Sequence, residues 1–98
     1  MPKVEVESET WLEFEEPRMF KVLLHNDDFT SMDFVIDVLM EIFRKNASEA
    51  ELIMWQIHEK GIGVCGIYSF EIAQTKAEQV KQKARENVFP LLATIEEE

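Results

Sequence analysis

Two apolar runs, Phe20-Lys21-Val22-Leu23-Leu24 and Phe34-Val35-Ile36-Asp37-Val38-Leu39-Met40, are joined by the polar stretch His25-Asn26-Asp27-Asp28-Phe29-Thr30-Ser31. The first run is apolar apart from Lys21, the pattern of a strand buried on most of both faces. The second repeats at helical spacing. Met32, Val35, Ile36, Leu39 and Phe43 share one face, and Phe34, Val38 and Ile42 form a second apolar row. A helix this apolar must be covered on most sides. The junction is therefore a loop between a buried strand and a buried helix, and loops on rigid scaffolds tend to carry function. It offers an amide, two carboxylates and a hydroxyl, with Met32 at its exit and no lysine or arginine. That set suits a cationic or hydrogen-bond-donating ligand with an apolar part beside the charge. The same residue types also make turns and helix caps, and on chemistry alone both readings stand. Thr30 is the expected N-cap, with Asp33 three residues on, and Ser31 is the alternative.

The remaining chain supplies what covers this unit. The helix is expected to run to about Phe43, with Arg44-Lys45-Asn46 suiting its last turn, where the two cations complement the C-terminal dipole. Ser48-Glu49-Ala50-Glu51 has the spacing of a capping box. A second helix should follow to about Lys60 and stop at Gly61, with Ala50, Ile53, Met54 and Ile57 buried and His58 at the edge of that face. Val64 to Tyr68 reads as a strand, weakened or bulged at Gly66. Ser69 is placed to cap a third helix, Phe70 to about Glu86, whose stripe of Ala73, Ala77, Val80 and Ala84 permits close approach to a sheet. Asn87 and Pro90 end it, and Leu91 to Ile95 reads as a last strand. The order β-α-α-β-α-β predicts an α+β fold, a two-layer sandwich with a small three-stranded sheet packed with three helices.

Residues 1–17 read as an acidic N-terminal arm closed by Pro17, and residues 18–98 as the core domain. Trp11, Leu12 and Phe14 interrupt the acid of the arm, either as a docking segment or as a loose packing element. A net charge of −10 argues against nucleic acid and anionic membrane surfaces as partners. No apolar stretch approaches the roughly 20 residues of a membrane-spanning helix. No signal-peptide pattern opens the chain, and the lone cysteine, Cys65, agrees with a reducing compartment, so a cytoplasmic protein is expected.

Enzymatic chemistry finds little support. Metal donors exist in His25, Asp27, Asp28, His58 and Cys65, but no metal-binding spacing joins them, so neither metal nor other cofactor is expected. Cys65 and His58 can be drawn as a dyad, yet Cys65 sits in an apolar strand where cysteine acts as a small hydrophobe. Asp27 and Asp28 are adjacent, and in an extended loop their side chains diverge, which disfavours a shared-proton pair. A binding site is better supported. Met54 shares a helix face with His58, and Met32 adjoins Asn26-Asp27-Asp28. If the two helices pack side by side, apolar walls and a polar rim meet in one concavity.

These residues resemble one family closely. Phe20-Lys-Val-Leu-Leu-His-Asn-Asp-Asp-Phe-Thr-Ser-Met32, Phe34-Val-Ile-Asp-Val-Leu39, His58-Glu-Lys-Gly61, Val64-Cys-Gly-Ile-Tyr68, Glu71-Ile-Ala-Gln-Thr-Lys76, Ala84-Arg-Glu-Asn87 and Pro90-Leu-Leu match the pattern of ClpS. ClpS is the adaptor that delivers N-end-rule substrates to the Clp ATPase–protease, and the resemblance covers about residues 18 to 97. It implies a non-enzymatic adaptor, expected to be a monomer. Asn26, Asp27 and His58 would bind the free α-amino group of an N-degron peptide. Thr30, Met32, Val35, Met54, Ile57 and Leu91 would line the pocket for its first side chain, Phe, Tyr, Trp or Leu. Glu71 and Lys76 would dock the N-terminal domain of a ClpA-type AAA+ ATPase, and the arm would engage that ATPase during hand-off. The other reading from this pattern is an interaction domain that modulates the ATPase without reading degrons. Many members have Pro where this chain has Ser31, and the arm is more acidic than usual. An ammonium carries three donors and no acceptor, which agrees with a rim of oxygen acceptors and a neutral His58.

Overall fold

The computed structural model describes residues 17–98, so the expectations for the arm, including Trp11, Leu12 and Phe14, lie outside the described residues. The element order is β1 (Phe20–His25), α1 (Met32–Glu41), α2 (Ala47–Lys60), β2 (Ile62–Tyr68), α3 (Phe70–Glu86) and β3 (Leu92–Glu97). The sheet has the order β2-β1-β3, with β1 antiparallel to both neighbours. This is the α+β sandwich expected.

The most apolar strand takes the central place because only there is it covered on both edges and by helices. Val22 and Leu24 are fully buried and point into the core. On that face α2 packs over β2, α3 lies over β3 and β1, and α1 packs against α2. Ala73, Val80 and Ala84 of α3 are buried as the small-residue stripe predicted, with Ala77 partly buried beside them. On the opposite face Leu23 is buried, whereas Ile62, Val64, Ile67 and Leu92 are exposed on β2 and β3.

β2 carries a bulge, but one residue earlier than Gly66. Val22 pairs with Gly66 and Leu23 with Val64, which leaves Cys65 without a partner on β1 and turned into the core. Burial pushes the Cys65 thiol up to about 12, which holds it protonated at neutral pH and disfavours it as a nucleophile.

The helix ends differ from expectation in instructive ways. Ser31, not Thr30, caps α1, accepting from the Phe34 N–H at 3.1 Å. Asn46, not Ser48, caps α2 and forms the reciprocal capping box with Glu49. α1 stops at Glu41, two residues short, because Arg44 turns into the left-handed region and the Lys45 N–H returns to the Leu39 carbonyl. The cation that meets this helix end comes from α3: Lys76 donates to the Ile42 carbonyl at 2.7 Å. Gly61 closes α2 at a φ of +86°, as its position suggested.

Where α3 ends, Val88 occupies the left-handed position at a φ of 59°. Its N–H bonds the Arg85 carbonyl and the Phe89 N–H bonds the Ala84 carbonyl, the paired closure in which glycine is usual. A β-branched side chain there is strained by roughly 1–2 kcal/mol. Val88 is 88% exposed, so it recovers little by packing. Val88→Gly is therefore expected to raise stability by about 1 kcal/mol in urea unfolding. A loss of stability would count against strain at this helix end.

Candidate functional site

The polar junction folds around one carboxylate. Asp27 Oδ1 accepts from the Phe29 N–H at 2.8 Å and the Thr30 N–H at 2.7 Å, and Oδ2 accepts from the Thr30 hydroxyl at 2.7 Å. The turn role thus belongs to Asp27, and Thr30 is its donor rather than a helix cap. Burial alone would raise the Asp27 pKa, but the Thr30 hydroxyl and the two backbone N–H groups outweigh it and hold the carboxyl below its ordinary range. The side chain is ionised at neutral pH.

A second anchor fixes where this loop sits. The Asn26 N–H donates to the Gly61 carbonyl at 2.9 Å, and His25 pairs with Ile62 across the sheet. The end of β1 is thereby tied to the C-terminus of α2, which carries His58. His25 itself is held away from this site by a 2.7 Å hydrogen bond between its Nε2 and the Thr94 hydroxyl.

The result is a cavity of about 250 Å³ between the loop, α1 and α2. Asn26, Asp27, Asp28, Thr30, Met32, Val35, Met54, Ile57 and His58 line it. Val35, Met54 and Ile57 are buried and form the apolar wall, whereas Asn26, Asp28 and His58 are exposed at the rim. Met32 opens α1 and is 39% exposed, so it stands at the mouth. Among the described residues, neither lysine nor arginine lines the cavity. Its chemistry is a rim of acceptors with two carboxylates above an apolar floor, which suits a compact cation attached to an apolar group.

Eight of the residues singled out from the sequence for amine and side-chain binding meet in this cavity. Leu91 does not. It is buried just before β3 and lines a separate groove with Ala84, Phe89 and Ala93. Leu91 belongs to the same buried core cluster as Val35, Met54 and Ile57. Asp28, to which the resemblance gives no role, also lines the cavity, as its place in the polar stretch beside Met32 suggested. Glu71 is exposed in the first turn of α3, between exposed Phe70 and Ile72. Lys76 is half-buried, bonded to the Ile42 carbonyl and 5.8 Å from the Tyr68 ring centroid. Among the described residues, no three His, Cys, Asp or Glu side chains come together to hold a metal ion, and no helix is long and apolar enough to cross a membrane.

Comparison with known proteins agrees with this architecture. Residues 15–94 match the family model of the ATP-dependent Clp protease adaptor protein ClpS. The ATP-dependent Clp protease adapter protein ClpS of Oleidesulfovibrio alaskensis is 58% identical over 85 residues, covering 87% of this chain and 82% of the relative. That of Shewanella halifaxensis is 52% identical over 93 residues, covering 95% and 91%. Among solved structures, Agrobacterium tumefaciens ClpS2 bound to L-phenylalaninamide superposes with a TM-score of 0.82 at 36% identity, covering 85% of this chain and all of that one. Proteins of this kind are adaptors and not enzymes. The chain belongs to the ClpS family of ATP-dependent Clp protease adaptors.

Proposed function

We propose that this adaptor recognises proteins by a free α-amino group and a bulky hydrophobic first residue, Phe, Tyr, Trp or Leu, and brings them to a ClpA-type AAA+ ATPase for degradation. The observation that carries the reading is the joining of an acceptor rim, Asn26, Asp27 and His58, to an apolar wall in one cavity. An α-ammonium needs acceptors on three sides, and the side chain on the adjacent carbon needs an apolar slot within one bond of them. Asn26 and Asp27 stand on the loop, and His58 faces them from the end of α2. Thr30, Met32, Val35, Met54 and Ile57 form the slot. The ligand of A. tumefaciens ClpS2, L-phenylalaninamide, has this combination of primary amine and aromatic side chain. The ATPase-facing surface in this proposal is the start of α3, where Glu71 stands between exposed Phe70 and Ile72, with Lys76 bordering it.

The test is a titration with a fluorescent peptide that begins with Phe, beside the same peptide acetylated at its N-terminus. Binding at micromolar affinity or tighter, about −8 kcal/mol, is expected for the free amine only. Equal affinity for the two peptides would sink the degron reading and favour a domain that acts on the ATPase alone.

A further inference from the structure

We propose that Trp55 is a positioning residue of the amine site, holding the His58 imidazole toward the cavity by an edge contact. The proposal rests on the reading of the cavity as an amine site. Trp55 and His58 lie three residues apart on α2, so they project from one face. Their ring centroids are 5.6 Å apart and their planes cross at 77°, the edge-to-face arrangement that aromatic pairs prefer.

Two contrasts give that contact its meaning. Trp55 is 42% exposed and lies outside the core cluster, so its ring is not part of the buried interior. His58 is also exposed and makes no side-chain hydrogen bond among the described residues, whereas the His25 ring is fixed by Thr94. An imidazole on an exposed helix face otherwise samples several staggered rotamers, and those pointing away from the cavity offer nothing to an ammonium. The indole beside it removes some of them. A ring held in place before the ligand arrives loses less freedom on binding, and the affinity gains accordingly. Met54, the residue before Trp55, forms the cavity wall, so this one turn of α2 supplies the wall, the acceptor and its support.

The experiment is a double-mutant cycle on the full chain with Trp55→Ala, His58→Ala and both together, read with the free-amine Phe peptide and its acetylated control. Trp55→Ala is expected to weaken binding by about fivefold, Trp55→Phe to restore most of the loss, and Trp55→Ala to cost nothing further once His58 is alanine. The melting temperature should not change in Trp55→Ala. In the free protein, the His58 ring proton resonances should shift when the indole is removed, a readout that needs no peptide. An equal loss with and without His58 would mean that Trp55 touches the peptide directly and would overturn the proposal. So would unmoved His58 resonances, which decide the contact even where no peptide binds and the degron reading itself has failed.

Discussion

Asp27→Asn is expected to weaken binding of a free-amine Phe peptide by at least about thirtyfold, the lower end of the cost of removing one charge from a closely paired site, while the loop stays folded. The structure explains why the two effects separate. A carboxylate has about four lone-pair positions, and three are used within the loop, two on Oδ1 and one on Oδ2. The remaining position on Oδ2 is the one left for an ammonium. Asparagine keeps an oxygen for the Phe29 and Thr30 N–H groups, and its amide can donate to the Thr30 hydroxyl. What it loses is the negative charge and the free acceptor position on Oδ2, which an N–H replaces. Asp27→Ala removes the turn as well, and each bond to the charged oxygen is worth roughly 1.5–3 kcal/mol, so this variant should also melt lower. Asp28→Asn is the control. Asp28 is exposed and takes none of these bonds, so its loss should cost about threefold or less. Fluorescence anisotropy on the three variants checks the order. Unchanged affinity in Asp27→Asn with a large loss in Asp28→Asn would place the ammonium on the second carboxylate.

The same carboxylate sets an acid limit on the site. Its pKa is depressed in the folded chain, so the stabilisation it provides is present above the unfolded-state pKa and is lost as pH falls through the folded one. Loop order, and the part of amine binding that rests on this charge, should therefore fail together below the ordinary carboxylate range.

How far the residues alone reveal this protein depends on what each signal measures. The elements were legible because burial periodicity is a property of the fold's interior. Val22 and Leu24, the α3 stripe and the stop at Gly61 all fall where the pattern put them. Caps were less legible because several oxygen-bearing residues crowd each helix start, and the choice between Thr30 and Ser31, or Asn46 and Ser48, depends on backbone angles that composition does not carry. The cavity was visible in part through the i, i+3 and i, i+4 relations of Met54, Ile57 and His58. Leu91 is buried in one core cluster with Val35, Met54 and Ile57 without reaching the cavity surface, a difference of depth that spacing does not carry. The double duty of Asp27, turn and acceptor rim at once, could be seen only when its oxygens had been counted.

That dependence of the site on backbone packing gives the second large effect. Gly63 pairs with Leu24 on the inner face of β2, under α2. A Cβ added there would lie 2.7 Å from Ile57 Cγ1 and 3.6 Å from the Ile53 carbonyl oxygen. Ile57 is 2% exposed and branched at Cβ, so its Cγ1 cannot swing aside as the end of a long side chain would. Gly63→Ala must therefore either lift α2 from the sheet or push Ile57 into the cavity that it lines. Overpacking of this kind costs roughly 1–3 kcal/mol of stability. The narrowed slot should penalise a Phe or Trp first residue more than Leu, because the larger rings fill the space that Ile57 would enter. Adding Ile57→Ala removes the colliding Cγ1, and the loss in the double variant should fall short of the sum of the two single losses, a coupling expected of residues in contact. Urea unfolding and peptide titration on the two single variants and the double measure this directly. Additive losses would show that Gly63 and Ile57 do not meet, and that the close approach of β2 to α2 is not what shapes the cavity wall.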